Sequence, residues 1–332
     1  MRLAEAQPLL ASVVVPVWNG ADTLGQCLDA LASQTAEPDS FEVIVVDDGS
    51  SDGSPDVAAR KGVTVLRQPH AGAAAARNRG AHRACGQILL FTDADCQPEP
   101  DWIVQMLAPF ADPEVIGVKG IYRTRQRALV ARFAQAEYEE KYGRLARSDR
   151  IDFVDTYAAA YRRDVFWAHR GFDPGFLLDE DQEFSFRLAR AGHKLVFAPA
   201  AVVYHRHMAT LWDYARRKLR LGYWKVWVHG RHPSKAFRDS YTPWTQKAQL
   251  ALLPLVILFG LAALLGLVSW LVPGVLATLV LTSTVPLSIR AARQGWAVML
   301  VTPALALLRA LALDLGLALG IISRLMGRRL TW

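Results

Sequence analysis

The sequence predicts an α/β domain with a mostly parallel sheet, followed by C-terminal helices apolar enough to cross a membrane. Three observations carry this. Between residues 12 and 92, short runs of β-branched and apolar residues alternate with helical patterns. From Ala248 to Ile289 there is no Asp, Glu, Lys, Arg or His. Charge is also partitioned: residues 1–202 hold 22 basic and 28 acidic side chains, whereas residues 203–247 hold 10 basic and 2 acidic ones. An acidic globular part therefore precedes a short basic belt and an apolar tail. A hydrophobic share of 52% excludes a disordered chain. Three cysteines, Cys27, Cys85 and Cys96, exclude a disulfide scaffold and supply no paired zinc motif. Residues 1–20 have one early Arg and an apolar run broken by Pro8 and Pro16, which is not the pattern of a secretory leader. The N-terminal part is expected to fold in a reducing cytosol.

Residues 12–17 form the first expected strand, apolar without alternation, as in a sheet buried on both faces. Leu24, Cys27, Leu28 and Leu31 recur at helical spacing over residues 22–33. Residues 42–46 are a second strand ending in Asp47-Asp48-Gly49-Ser50, and a helix begins at Ser54. Residues 62–66 are a third strand, residues 72–84 an Ala/Arg helix, and residues 88–92 a fourth strand ending in Asp93-Ala94-Asp95. Lys194 to Val203 reads as a further apolar strand before Tyr204-His205-Arg206-His207. Ligands of parallel sheets bind at the carboxyl ends of the strands, where both acidic clusters fall.

The charge-free stretch holds two helices of about 20 residues, enough to span a bilayer twice, with Pro273-Gly274 as the expected turn. Arg290 and Arg293 follow it and the basic belt precedes it, so both ends are expected on the cytoplasmic side. A third apolar stretch, about 297–323, contains Arg309, Asp314 and Pro303. A charge at bilayer depth costs about 2.5–3.5 kcal/mol on insertion scales. A helix that re-enters or lies along the cytoplasmic leaflet is therefore preferred there to a third span. In the belt, Trp212, Ala215, Leu219, Tyr223, Val226 and Trp227 recur at helical spacing beside Arg216, Arg217, Lys218 and Arg220. Such a helix suits a headgroup surface; a helix packed on the domain is the alternative. A basic belt by itself also suits nucleic acid, but the apolar tail decides for a membrane and against nucleic acid. The expected organisation is a catalytic domain over 1–210, an interface segment over 211–247 and a membrane domain over 248–332, with the hairpin at about 248–289. The expected location is the inner (cytoplasmic) membrane, multi-pass, with the catalytic domain in the cytoplasm.

Asp93 and Asp95, one residue apart on an irregular turn, can reach one hard cation. Mg²⁺ or Mn²⁺ takes one or two carboxylates plus substrate phosphates; a solvated acidic turn is the plain alternative. Asp47 and Asp48 offer acceptors to a nucleotide base or ribose, against an Asx-turn or helix cap. Arg77 sits on a helix facing that side and suits a diphosphate, more so than Arg79.

At these residues the chain resembles a family. Val-Val-Val-Pro-Val-Trp-Asn-Gly at 13–20, Val-Val-Asp-Asp-Gly-Ser-Ser-Asp at 45–52, residues 72–80 and Thr92-Asp93-Ala94-Asp95 resemble the successive signatures of family 2 glycosyltransferases. The resemblance covers roughly residues 10–240. It implies the GT-A fold, a Rossmann-like, mostly parallel sheet, and inverting transfer from a nucleotide-diphosphate sugar. It places Pro16, Trp18, Asp47, Asp48, Arg77 and Asp93 in the nucleotide-sugar site. It gives Asp93 and Asp95 to the metal, with His205 as a further metal or diphosphate ligand. Tyr214, Arg217 and Gly222 look like an element that closes over the diphosphate. Residues 178–192 are similar to the family's acceptor-site helix. There a Glu-Asp pair opens the helix, which maps Glu180 beside the donor and Asp181 as general base. The chemistry agrees: one carboxylate must take the acceptor proton while C1 is attacked from the far face. Asp179, Glu180, Asp181 and Glu183 also raise each other's pKa, although acidic residues at a helix start are stabilised by its dipole alone. The Gln-x-x-Arg-Trp string of processive synthases is absent, which favours transfer of a single sugar. Residues 116–141, with Lys119, Tyr122, Arg123, Glu137, Tyr138 and Glu139, are expected to form the acceptor wall.

The expected function is therefore transfer of one sugar to a lipid or lipid-linked acceptor at the cytoplasmic leaflet. A polyprenyl-phosphate sugar synthase, which charges a lipid carrier, is the first alternative, and a non-catalytic membrane scaffold of the same fold the second. A nucleotidyltransferase would need a Gly-rich loop after the first strand, and Pro16 to Gly20 does not supply one.

Overall fold

The computed structural model describes residues 9–236 and 238–330. Part of the N-terminal stretch read above for a leader, residues 1–8, lies outside the described residues. The strands are β1 (Ala11–Val17), β2 (Phe41–Asp47), β3 (Thr64–Arg67), β4 (Ile88–Phe91), β5 (Cys96–Pro98), β6 (Val115–Arg123), β7 (Ala159–Arg162) and β8 (Lys194–His205). The helices are α1 (Ala21–Ala32), α2 (Ser54–Arg60), α3 (Ala73–Arg83), α4 (Trp102–Leu107), α5 (Leu129–Leu145), α6 (Arg163–Ala168), α7 (Glu180–Arg190), α8 (Leu211–Arg231), α9 (Trp244–Leu264), α10 (Leu271–Thr282), α11 (Val285–Ala291) and α12 (Trp296–Leu325). They divide into two compact units: residues to Arg123 with Leu145–Arg206, and Thr124–Arg144 with the chain from His207 onward. Most of α5 thus belongs with the C-terminal helices and not with the sheet, unlike the expected division at residue 210.

The first unit is built on one eight-stranded sheet in the order β3-β2-β1-β4-β7-β6-β8-β5. β3, β2, β1 and β4 run parallel, and so do β6 and β8. β7 is antiparallel to both its neighbours, and β5 is antiparallel to β8. Val13, Val14 and Val15 of β1 are completely buried, which is why this strand reads as an unbroken apolar run. Small residues bring α3 close to the sheet: Ala74, Ala76 and Gly80 are buried, and Gly80 leaves no room for a Cβ beside Val14. That close approach carries Arg77 to the sheet's carboxyl edge. A cluster of Phe91, Tyr161, Phe166, Phe172 and Phe184, with ring centroids 5.1–6.3 Å apart, locks α7 in place. Arg187 adds to this by donating to the Gly171 carbonyl at 3.0 Å and to Glu183 at 2.7 Å. The acidic N-terminus of α7 is therefore held on a rigid element.

The second unit is helical. α9 ends in a Schellman motif: Gly266 takes φ +71°, its N–H donates to Ala263, and the Leu267 N–H donates to Ala262. The turn of the hairpin is therefore at residues 265–270. Pro273 and Gly274, expected as the turn, lie instead in the first turn of α10, where proline costs no helical hydrogen bond. Leu255, Ile257, Leu258, Leu261 and Leu264 of α9 are exposed apolar side chains. α9, the stretch Leu271–Gln294 and α12 are each long and apolar enough to cross a membrane.

α8 packs along α12. Gly222 and Gly316 have no space for a Cβ, the first against Leu313 and the second against Leu219, and a Cβ on Gly320 would stand 2.7 Å from the Tyr223 carbonyl. Small residues at both faces let the two backbones touch. Tyr223, expected on a lipid-facing stripe, is buried in this contact, while Trp212 at the start of α8 is 75% exposed. Arg309, the charge inside the third apolar stretch, is almost fully buried and paired. It donates to Glu137 of α5 at 2.8 Å and to Gln249 of α9 at 2.6 Å. Glu137 also accepts from Tyr214 at 2.9 Å and pairs with Lys218 at 3.1 Å. Burial raises the Glu137 pKa, but Lys218, Arg309 and Lys141 outweigh it and hold the group down at about 2.

Candidate active site

The carboxyl ends of β1, β2 and β4 bring the first group of predicted residues together. Pro16 lies in β1, paired in register with Val46 of β2. Trp18 follows β1, is 55% exposed, and stacks on His70 with ring centroids 4.4 Å apart. The Asp47 carboxylate accepts from the Ser50 N–H at 3.1 Å. Asp48 is committed to its own chain: it accepts from the backbone N–H of Ala71 and of Gly72, each at 2.9 Å, and from Gln68 at 2.7 Å, and faces His70 at 2.9 Å. It clamps the start of α3, where Gly72 has φ +91°. Asp48 thus shapes the loop carrying the site, and its neighbours Asp47 and Trp18 present the remaining polar and aromatic surface.

Arg77 joins the two acidic clusters. Its guanidinium donates to Asp93 at 2.7 Å and to Glu180 at 2.5 Å, a charge-assisted fork between residues 16 and 103 positions away. Arg77 and Glu180 are buried, and Asp93 is partly open. On the other side of the turn, Asp95 Oδ2 stands 3.4 Å from His205 Nε2. His205 is fixed by its rings of contact, stacked on Tyr122 at 5.0 Å. The donor atoms of Asp95, Cys96 and His205 lie within 4.8 Å of one another. Burial, with Asp95 and Asp93 nearby, pushes the Cys96 thiol well up, so it stays protonated and is a poor ligand for a hard cation. The groups that fit such a cation are the Asp95 carboxylate and the His205 imidazole, with Asp93 alongside under the charge of Arg77.

Asp181 opens α7 beside Glu180. Its carboxylate accepts from the Thr156 N–H at 3.2 Å and from the Gln182 N–H at 2.8 Å. Burial raises the pKa of Asp181, opposed by Arg77, by these two N–H groups and by Lys119. Burial raises Glu180 as well, with Asp181 and Asp179 adding to it and Arg77 opposing. Asp179, the residue before the helix, holds φ +61°, a strained value for a side chain of this kind. Arg217 lies on α8, in the second unit. Sequence reasoning missed the segment from Phe153 to Ala158, which carries no motif yet touches Asp181 through Thr156. It also missed the Trp18–His70 stack, since nothing in the spacing links a loop after β1 to one after β3.

Residues 12–170 match the sequence profile of Glycosyl transferase family 2. They form a family 2 glycosyltransferase domain. A pre-mycofactocin glycosyltransferase of Mycobacterium tuberculosis is 30% identical over 234 residues, which are 68% of this chain and 48% of that protein. The glycosyltransferase AglE of Haloferax volcanii is 28% identical over 204 residues, 58% of this chain and 66% of that one. The chain thus spans between about half and two thirds of the length of these relatives. A mannosyltransferase from Pyrobaculum calidifontis, solved with GDP-Man and Mn²⁺, superposes with a TM-score of 0.57 at 22% identity, over 98% of this chain and 91% of that one. This likeness establishes the GT-A fold of the family 2 domain, with helices following it.

Proposed function

We propose that the protein transfers a single sugar, with inversion, from a nucleotide-diphosphate sugar to a lipid or lipid-linked acceptor at the cytoplasmic leaflet. The observation that carries this reading is the Arg77 fork. It ties the Asp93 turn to the start of α7, so that the diphosphate side and the Glu180-Asp181 pair share one edge of the sheet. Asp95 and His205, with Asp93, would hold a Mg²⁺ or Mn²⁺ ion, which when bound supplies positive charge to the departing diphosphate. Trp18, Asp47 and Pro16 line the nucleotide side. Asp181, held by two backbone N–H groups, takes the proton of the acceptor hydroxyl. Arg217, on the basic helix, is assigned to the diphosphate.

The lipid acceptor is supported by the exposed apolar faces of α9 and by the basic residues of α8. We assign α9 and the stretch Leu271–Gln294 to the bilayer, with both ends cytoplasmic. α12 is shielded along one side by α8, and its Arg309 is neutralised by Glu137, which removes the charge cost that spoke against a third span there. The test is a panel of nucleotide sugars offered to the full chain with total bacterial lipid, with Mn²⁺ or with EDTA. The reading expects one nucleotide sugar to be consumed, a sugar-labelled lipid to appear, and both to stop in EDTA. Consumption of no nucleotide sugar, or labelling only of water-soluble acceptors, contradicts it.

A further inference from the structure

Lys119 is the one charged residue between Val115 and Tyr122, the buried run of β6, and it is completely buried. It stands mid-sheet, in register with Ala159 of β7 and Phe197 of β8. A buried ammonium is expensive unless it is paired and hydrogen-bonded. Three of its partners come from one short segment. It pairs with Asp155, donates to the Tyr157 hydroxyl at 3.0 Å, and lies 5.5 Å from the Phe153 ring centre. Asp155 is itself buried. The residue between these partners, Thr156, donates its N–H to the Asp181 carboxylate at 3.2 Å. The same segment is tied to α7 a second time: the Val154 N–H donates to Ser185 Oγ at 3.0 Å, and that hydroxyl donates to the Asp181 carbonyl at 2.7 Å.

We propose that Lys119 is a positioning residue for Asp181: it anchors the 153–158 segment and so aims the Thr156 N–H at the carboxylate. Its charge acts on that carboxylate in the same direction. The inference rests on the reading of Asp181 as the base. The charged and titratable groups around Asp181 include Arg77 from α3, Asp179 just before α7, Glu180 from α7, Tyr161 from β7, Asp155 from the segment, and Lys119 from β6. Burial and the carboxylates favour the protonated acid. Arg77 is already shared between Glu180 and Asp93. Lys119 also favours the ionised form.

The test is the pH dependence of nucleoside-diphosphate release from UDP-glucose and GDP-mannose by the full chain with Mn²⁺ and total bacterial lipid. In Lys119→Met the acid limb of kcat moves to higher pH by about one unit, a tenfold change in the proton equilibrium, and the donor KM stays within about twofold. In Asp155→Asn, where Lys119 remains protonated in the acid range without its counter-charge, the limb moves to lower pH. If Lys119→Met does not fold, Lys119→Met/Asp155→Asn buries no unpaired charge, and its limb is expected to lie above that of Asp155→Asn. Limbs that do not move, or that move the same way in Lys119→Met and Asp155→Asn, overturn the role of Lys119. Asp181→Asn run alongside separates the two readings. A retained kcat there removes Asp181 as base and this inference with it, whereas a lost kcat with unmoved limbs removes Lys119 alone.

Discussion

Arg77 holds two carboxylates that the chain places 87 residues apart, Asp93 and Glu180. Breaking one partner of a buried pair leaves an uncompensated charge and costs about 3–5 kcal/mol. Arg77→Met is therefore expected to lower the unfolding midpoint of the first unit sharply in thermal denaturation, and Glu180→Gln, which removes the charge it would strand, by less. At Asp95 the expected loss is functional: Asp95→Ala abolishes metal-dependent turnover with little change in melting temperature, checked by Mn²⁺ titration of rate. The pH profile follows from Asp181. Burial raises its pKa above the ordinary 3.8. A base works ionised, so kcat is full above the folded-state value and falls as pH drops through it. The acid limb should lie above the value of a free aspartate, and Asp181→Asn should lower kcat by at least about 10²-fold. The sequence shows the positions of Asp93, Asp95, Asp181 and His205, because each stands at the end of a periodic element, where the structure also puts it. The Asp155–Thr156 contact is not legible there, since a backbone N–H leaves no mark on residue type. Its single trace is a lysine in an apolar strand.

At the scale of elements, β1 to β4 and α1 to α3 follow the sequence within a few residues, because β1, β2 and β4 each hold an apolar run of four or more residues and Gly, Pro or Asp recur in the connections between them. Beyond residue 92 the pattern still finds α7 and β8 but misses β5 and β7. β5 is three residues long and β7 four, too short to show a period. α5 buries a glutamate where an apolar residue would announce the face. The aromatic stripe of the basic helix reports burial and says nothing of what covers it. The cover over Tyr223 is α12, through glycines on both sides. Gly316→Ala places a methyl against the Leu219 carbonyl. Overpacking of this kind costs about 1–3 kcal/mol, and we expect a lower melting temperature of the detergent-solubilised chain with the donor KM unchanged.

At the scale of the whole molecule, Glu137 links α5 to α8 and α12, and Arg309 extends the link to α9. The helices after the basic belt therefore cannot be removed without opening the second unit itself. A chain ended after Lys247 loses Arg309 and leaves Glu137 buried with Tyr214, Lys218 and Lys141. It should aggregate or melt at lower temperature than the full chain, as size-exclusion chromatography and thermal unfolding would show. Arg309→Met should have the same direction of effect, and Arg309→Met with Glu137→Leu should recover part of it, because the paired charges disappear together. A mere anchor would leave the melting of the remainder unchanged.

On the proposed function, one carboxylate, Asp181, drives a single direct displacement at the sugar carbon. The proton NMR spectrum of the transferred sugar tests this most directly, through the anomeric coupling constant of product against donor. The account predicts an inverted anomeric configuration. A retained configuration would contradict it.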